Sequence, residues 1–421
     1  MEYEKVTLDN GLKIIASVMP GTRSVSVLFF VRAGSCYERD REAGISHFVE
    51  HMCFKGTRKR PSSRQISEAI EGLGGIMNGG TDRELTSYWC KLASQHFEAA
   101  VDVIVDILRN PLYREEDVVK ERQVIIEEIN MSLDSPQQRV GMLFDETMWP
   151  GSPMGRDVAG SEKTVSAISA AEMKQYMSGY YAPENMLVSI AGDFDPKAAL
   201  PVVTGAMENW PAGSQPEYIP SLTGQAGPRL KMEHRQTEQV NLVLGVEGPS
   251  LFDQDRFACD LLSMLLGEGM SSRLFTEIRE KLGLAYDIHS YVEHFQQTGV
   301  FVIQAGVDPE QASRATQAVV EQLAAVREGI TEAELNKARE MARGRLLLSM
   351  ENSRNVAGWY GAQEMLTGKI LGIDDVTAII EQITAEDIKR VAQKLFATNK
   401  LNLAMVGPVQ GEEEFLRLLA I

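Results

Sequence analysis

Two histidines four residues apart, with a glutamate between them, carry the most chemical content in this sequence: His47-Phe48-Val49-Glu50-His51. On a helix, positions i and i+4 lie on one face one turn apart, so both imidazoles can bind one ion. Glu50 sits beside that face and can take a proton from a metal-activated water without being a ligand. The order H-x-x-E-H belongs to a group of catalytic zinc motifs. A catalytic zinc takes three protein ligands and keeps a fourth position for water, so a third donor must come from elsewhere. The run Glu121-Arg122-Gln123-Val124-Ile125-Ile126-Glu127-Glu128 is the best source. Glu121 and Glu128 are seven apart, nearly aligned on one stripe of a helix, whereas Glu127 points about 100° away from Glu128. Spacing alone does not choose among them. The remaining histidines, His96, His234, His289 and His294, lack comparable spacing. A five-residue motif also arises by chance on solvated helices, and two histidines with a carboxylate also suit manganese or cobalt. Support must therefore come from the rest of the chain.

The elements that would position these residues can be read from the pattern. Alternating runs around Asp9-Asn10-Gly11 predict a hairpin over 5–18. Residues 24–32 read as a buried strand, and residues 42–54 as the helix that carries the motif. A second helix is expected over 63–73, ended by Gly74-Gly75. Two short strands follow near 76–81 and 84–92, long helices over 94–109 and 114–133, and a strand over 185–192.

The chain has 421 residues, more than one ordinary core accommodates. Residues 211–228 hold four prolines and three glycines with little periodicity, and read as a linker. An internal repeat supports that boundary: SVSVLFFVRAGS at 24–35 aligns with QVNLVLGVEGPS at 239–250, and Gly192 aligns with Gly407, both at an offset of 215. The expected architecture is α+β: two copies of one unit, over 1–210 and 229–421, each mixing strands with long helices. Position 47 + 215 = 262 falls in DLLSMLLGEG, which has no histidine. The second copy lacks the metal motif and is free to grip substrate.

The net charge is −17, spread over both halves, with 30 acidic and 22 basic groups in 1–210 and 29 and 20 in 211–421. That argues against nucleic-acid binding and favours basic partners. The four cysteines, Cys36, Cys53, Cys90 and Cys259, form no CxxC pair and are expected to be buried thiols in a reducing compartment. The N-terminus MEYEKVTLDNGLKI has no leader pattern, and the apolar runs are too short to span a bilayer. The expectation is a cytoplasmic protein.

The run HFVEHMCFKGT at 47–57 resembles the signature of the pitrilysin-type (M16) zinc metallopeptidases. GLGGIMNGGTDRELTSYWC at 72–90 is similar to the active-site edge strand of that family, and ERQVIIEEINM at 121–131 to its second metal segment. GMSSRLFTEIREKLGLAY at 269–286 is similar to its substrate-binding segment, and the length and two-copy build match the short, processing-peptidase-like subgroup. The resemblance implies two homologous domains, each a mostly antiparallel sheet packed with long helices. It makes Glu128 the third ligand of one Zn2+ per chain and puts Glu121 in the place of the acid behind the ligands. Asn78, Gly79 and Gly80 match the strand that pairs with an extended peptide, and Glu84 a recurrent acid of that strand. Arg279 and Tyr286 match an arginine–tyrosine pair that reaches substrate from the metal-free domain. The implied activity is that of a zinc endopeptidase acting on peptides held in a closed chamber. The second chain that family members of this length need would come from a homodimer or, as the rival, a heterodimer. Some relatives are instead non-catalytic core or peptide-binding subunits of larger complexes, and these tend to lose the ligands that are intact here.

Overall fold

The structure, a computed structural model, describes residues 2–214, 216–221 and 224–421; three linker positions, 215, 222 and 223, lie outside the described residues. The fold is α+β, with two sheets and many helices. The first sheet comprises β1 (Glu4–Thr7), β2 (Lys13–Val18), β3 (Ser24–Val31), β4 (Ile76–Thr81), β5 (Thr86–Ala93) and β6 (Met186–Gly192), in the order β1-β2-β6-β3-β5-β4. The second comprises β7 (Arg229–His234), β8 (Val240–Gly248), β9 (Ala285–His294), β10 (Gly299–Val307) and β11 (Asn402–Gly407), in the order β7-β11-β8-β10-β9. Without the extra hairpin strand β1, the two orders are the same. Each sheet has one parallel pair, β2 with β6 and β7 with β11, and is otherwise antiparallel.

The repeat seen in sequence is therefore a repeat of topology, and its two glycines have a common physical reason. Gly192 (φ 141°) and Gly407 (φ 153°) close equivalent strands in a conformation that favours glycine. A β-carbon on Gly192 would collide with the Ser24 carbonyl oxygen, and one on Gly407 would stand 2.9 Å from the Gln239 carbonyl oxygen. Ser24 and Gln239 are themselves 215 apart.

The expected elements form with shifted ends. The hairpin turns at Gly11 (φ 85°), and the Asn10 side-chain oxygen accepts from the Leu12 amide at 3.2 Å. The motif helix runs over Ile45–Cys53 rather than 42–54. Gly44 takes a left-handed φ of 93° and starts it late, packed where a β-carbon would strike the Ala159 carbonyl. The next helix, Ser63–Glu71, is capped by Ser62 accepting from the Gln65 amide. The long helices run over Phe97–Arg109 and Glu115–Asp134. All four cysteines are buried thiols.

Two compact units emerge, and neither is continuous in sequence. One comprises Met1–Ile129, Asp157–Ile219 and Leu347–Gly372; the other Asn130–Arg156, Pro220–Leu346 and Ile373–Ile421. The helix Ser353–Thr367 thus covers the first sheet: Ser353 and Ser26 share a buried hydroxyl hydrogen bond of 2.9 Å, and Gly361 lies against the Phe30 ring. Glu364 accepts from Lys5 and Lys13, each at 2.7 Å. The helix Pro136–Met148 covers the second sheet, where Phe144 packs on Gly245, and Arg139 pairs with Glu233 at 2.8 Å. The two helices occupy equivalent places in the repeat (136 + 215 = 351), so the exchange is reciprocal.

Candidate metal centre

The helix Ile45–Cys53 buries Phe48, Val49 and Met52 on one side and leaves His47 and His51 partly open on the other. Their Nε2 atoms face each other at 3.1 Å. The helix Glu115–Asp134 brings Glu128 to them, with Oε2 3.7 Å from His51 Nε2 and 4.0 Å from His47 Nε2. Two ligand atoms about 2.0–2.1 Å from a tetrahedral ion lie roughly 3.3 Å apart, so these three atoms suit one small ion. Two nitrogens and a carboxylate oxygen are also the donor set of a catalytic site that keeps a position for water. Glu127, which spacing left open, is exposed.

Glu121 is buried and accepts from His51 Nδ1 at 2.9 Å. This hydrogen bond places the proton on Nδ1 and leaves the Nε2 lone pair for the ion. The other Glu121 oxygen accepts from Lys55 at 2.6 Å. Lys55 is a residue that the sequence reading missed; its signal was the i+4 spacing from His51. Also missed was Glu38, whose buried carboxylate accepts from the Gly44 and Ser46 amides, both at 2.8 Å, and from the Ser46 hydroxyl at 2.5 Å. It anchors the start of the motif helix. A lone acid seven residues before a helix gave no signal.

Glu50 is buried beside the histidines, and the three offer atoms within 4.8 Å of one another. Burial pushes its carboxyl above the usual range, aided by the nearby Glu128 and Glu121 charges and opposed by His51. Burial and the neighbouring His51 lower His47 to about 4, so it stays neutral near pH 7. Burial also works against protonation of His51, but the Glu121 hydrogen bond and the surrounding carboxylates prevail and raise it. Strand β4, at the edge of its sheet, runs past Glu50: a β-carbon on Gly79 would stand 2.5 Å from Glu50 Oε1 and 3.0 Å from the Phe54 ring. Asn78 and Gly80 are exposed on this strand, and Gly80 faces open space. Glu84 lies just beyond, buried and distant in character from the metal ligands; its charge acts on Cys36 and Tyr218.

Arg279 and Tyr286 belong to the second unit. Arg279 stacks over the Phe275 ring at 4.6 Å, and Tyr286, at the start of the edge strand β9, is 58% exposed. In that unit the counterpart of the motif helix is Arg256–Gly267, and the offset of 215 puts Leu262, Leu265 and Leu266 in place of His47, Glu50 and His51. All three leucines are buried. Arg343 stands in place of Glu128.

Residues 13–162 match the family model described as insulinase (peptidase family M16), and residues 167–342 the one described as the peptidase M16 inactive domain. An uncharacterized zinc protease of Streptomyces coelicolor is 34% identical over 416 residues, 97% of this chain and 90% of that protein. The chain belongs to peptidase family M16. Another relative, the uncharacterized zinc protease YmxG of Bacillus subtilis, is 32% identical over 96% of this chain and 98% of its own. A solved protease structure from Helicobacter pylori superposes with a TM-score of 0.90 at 25% identity, covering 97% of this chain and 99% of that one. The second M16 family model agrees with the leucines that replace the motif. No helix among the described residues is long and apolar enough to cross a membrane.

Proposed function

We propose that this M16 chain is a zinc-dependent endopeptidase with one Zn2+ held by His47, His51 and Glu128. The observation that carries this reading is the convergence of His47 Nε2, His51 Nε2 and Glu128 Oε2, with buried Glu50 alongside. When bound, the ion supplies Lewis-acid polarisation and a more acidic water. Glu50 takes the proton of the attacking water and returns it to the leaving amine; its raised carboxyl pKa suits both steps. Glu121, backed by Lys55, keeps the His51 ring oriented. An extended peptide pairs with the free edge of β4, so that main-chain hydrogen bonds give broad tolerance of sequence.

Arg279 and Tyr286 are assigned to substrate binding on the sequence resemblance alone, as is a homodimer as the working unit. The net charge of −17 favours basic peptides. The test is Glu50→Gln. The variant should keep one zinc per chain and lose turnover of a quenched basic peptide. Normal turnover would refute the mechanism. A wild-type protein that binds zinc and peptide without cleavage would make it a peptide-binding subunit instead.

A further inference from the structure

We propose that the first unit carries a second binding site, for a small organic anion with an aromatic or apolar body. It is a cavity of about 590 Å³ rimmed by Arg58, Arg109 and Lys174. That volume lies within the range of roughly 300–1,000 Å³ typical of small-molecule pockets.

The charge of the lining is the first argument. In a chain of net charge −17, this lining has three cations and no carboxylate. Arg58 and Lys174 are exposed, and neither has an ion pair among the described residues. Arg109 is held in place: its guanidinium donates to the carbonyls of Glu208 at 3.2 Å and Asn209 at 2.9 Å, and lies 5.5 Å from the centre of the Trp210 ring. Uncompensated cations gathered around one concavity attract an anion more strongly than the same charges dispersed.

The floor is the second argument. Tyr113, Tyr181 and Met177 line the cavity and are almost fully buried. The Tyr113 hydroxyl donates to Met177 Sδ at 3.2 Å, and the Tyr181 hydroxyl is hydrogen-bonded to Tyr88 at 2.9 Å. With those hydroxyls engaged by the protein, the ring edges that reach the cavity add apolar atoms to a lining of mixed polarity. A basic rim over such a lining suits a ligand with an anionic head and an aromatic body.

The backbone is the third argument. Tyr113 (φ 47°) and Asn209 (φ 55°) are the two non-glycine residues with positive φ among the described residues, and both line this cavity. Left-handed backbone is unfavourable for a bulky residue such as tyrosine, and such conformations gather at ligand sites. The carboxylate or phosphate character of the head is left to the experiment.

The full-length protein is titrated calorimetrically with 2-naphthoate, 2-naphthyl phosphate and the uncharged 2-naphthol. At least one anion should bind saturably, about tenfold or more tighter than naphthol, and a tighter phosphate or carboxylate identifies the head. The double variant R58E/K174E should weaken the bound anion about tenfold or more, with the melting temperature and naphthol binding unchanged. Both side chains are exposed, so the fold tolerates the exchange. Equal binding of naphthol, unaltered anion binding by the double variant, or no saturable binding at millimolar concentration overturns the proposal.

Discussion

Gly79 and Glu50 approach so closely that a β-carbon on the glycine would stand 2.5 Å from the carboxylate oxygen. The edge strand and the proposed proton carrier therefore fix each other's position. Gly79→Ala must displace one of them. Peptidase activity should fall about tenfold or more, while zinc per chain, measured by elemental analysis, stays unchanged. Gly80→Ala, which faces open space, should retain most of the activity.

The link between Glu121 and His51 predicts a different failure. Glu121→Gln leaves a weaker acceptor for Nδ1 and removes the charge that Lys55 pairs with. Zinc affinity, measured by competition with a chromogenic chelator, should drop about 10–100-fold. A drop in activity that excess zinc does not restore would place Glu121 elsewhere in the mechanism.

His47 predicts a pH dependence in the metal-free protein. Its folded pKa, about 4, is below the ordinary 6.5, so the unfolded chain binds more protons between those values. Stability therefore rises with pH across that window. The contribution is fully present above pH 6.5 and disappears as the pH falls through 4, with a magnitude of about 3 kcal/mol. Urea unfolding of the metal-free wild type and of His47→Gln at pH 7 and pH 4.5 isolates it. The difference between the two proteins should change with pH; parallel behaviour would contradict the burial argument.

The exchanged helix gives a prediction for stability. Gly361 belongs to the second repeat in sequence, yet it packs against Phe30 of the first sheet. Gly361→Val should overpack that contact and cost about 1–3 kcal/mol, seen as a lower melting temperature. Gly344→Ala, inside the helix Glu332–Ser349 and facing open space, should instead raise it slightly, by about 0.5–1 kcal/mol of stability.

Much of this was readable from residue types and spacing. The 215-residue offset foretold the common topology, because strand-closing glycines such as Gly192 and Gly407 are tied to a backbone geometry. The histidine pair was readable because helical periodicity fixes which residues share a face. The choice between Glu127 and Glu128 was not, since it depends on how two helices are rotated against each other; the structure puts Glu128 Oε2 within 4.0 Å of both Nε2 atoms. The late start of the motif helix depended on a tertiary contact between Gly44 and Ala159. The anchoring of that helix by Glu38 was hidden for the same reason. The helix exchange was invisible because the apolar face of Ser353–Thr367 has the same pattern whichever sheet it covers.

That exchange also bears on autonomy. Each sheet takes its covering helix from the opposite repeat, so either repeat cut out at the linker would have an uncovered sheet and a helix with nowhere to pack. The two halves of the sequence are therefore not separable folding modules: each is finished only by a piece of the other.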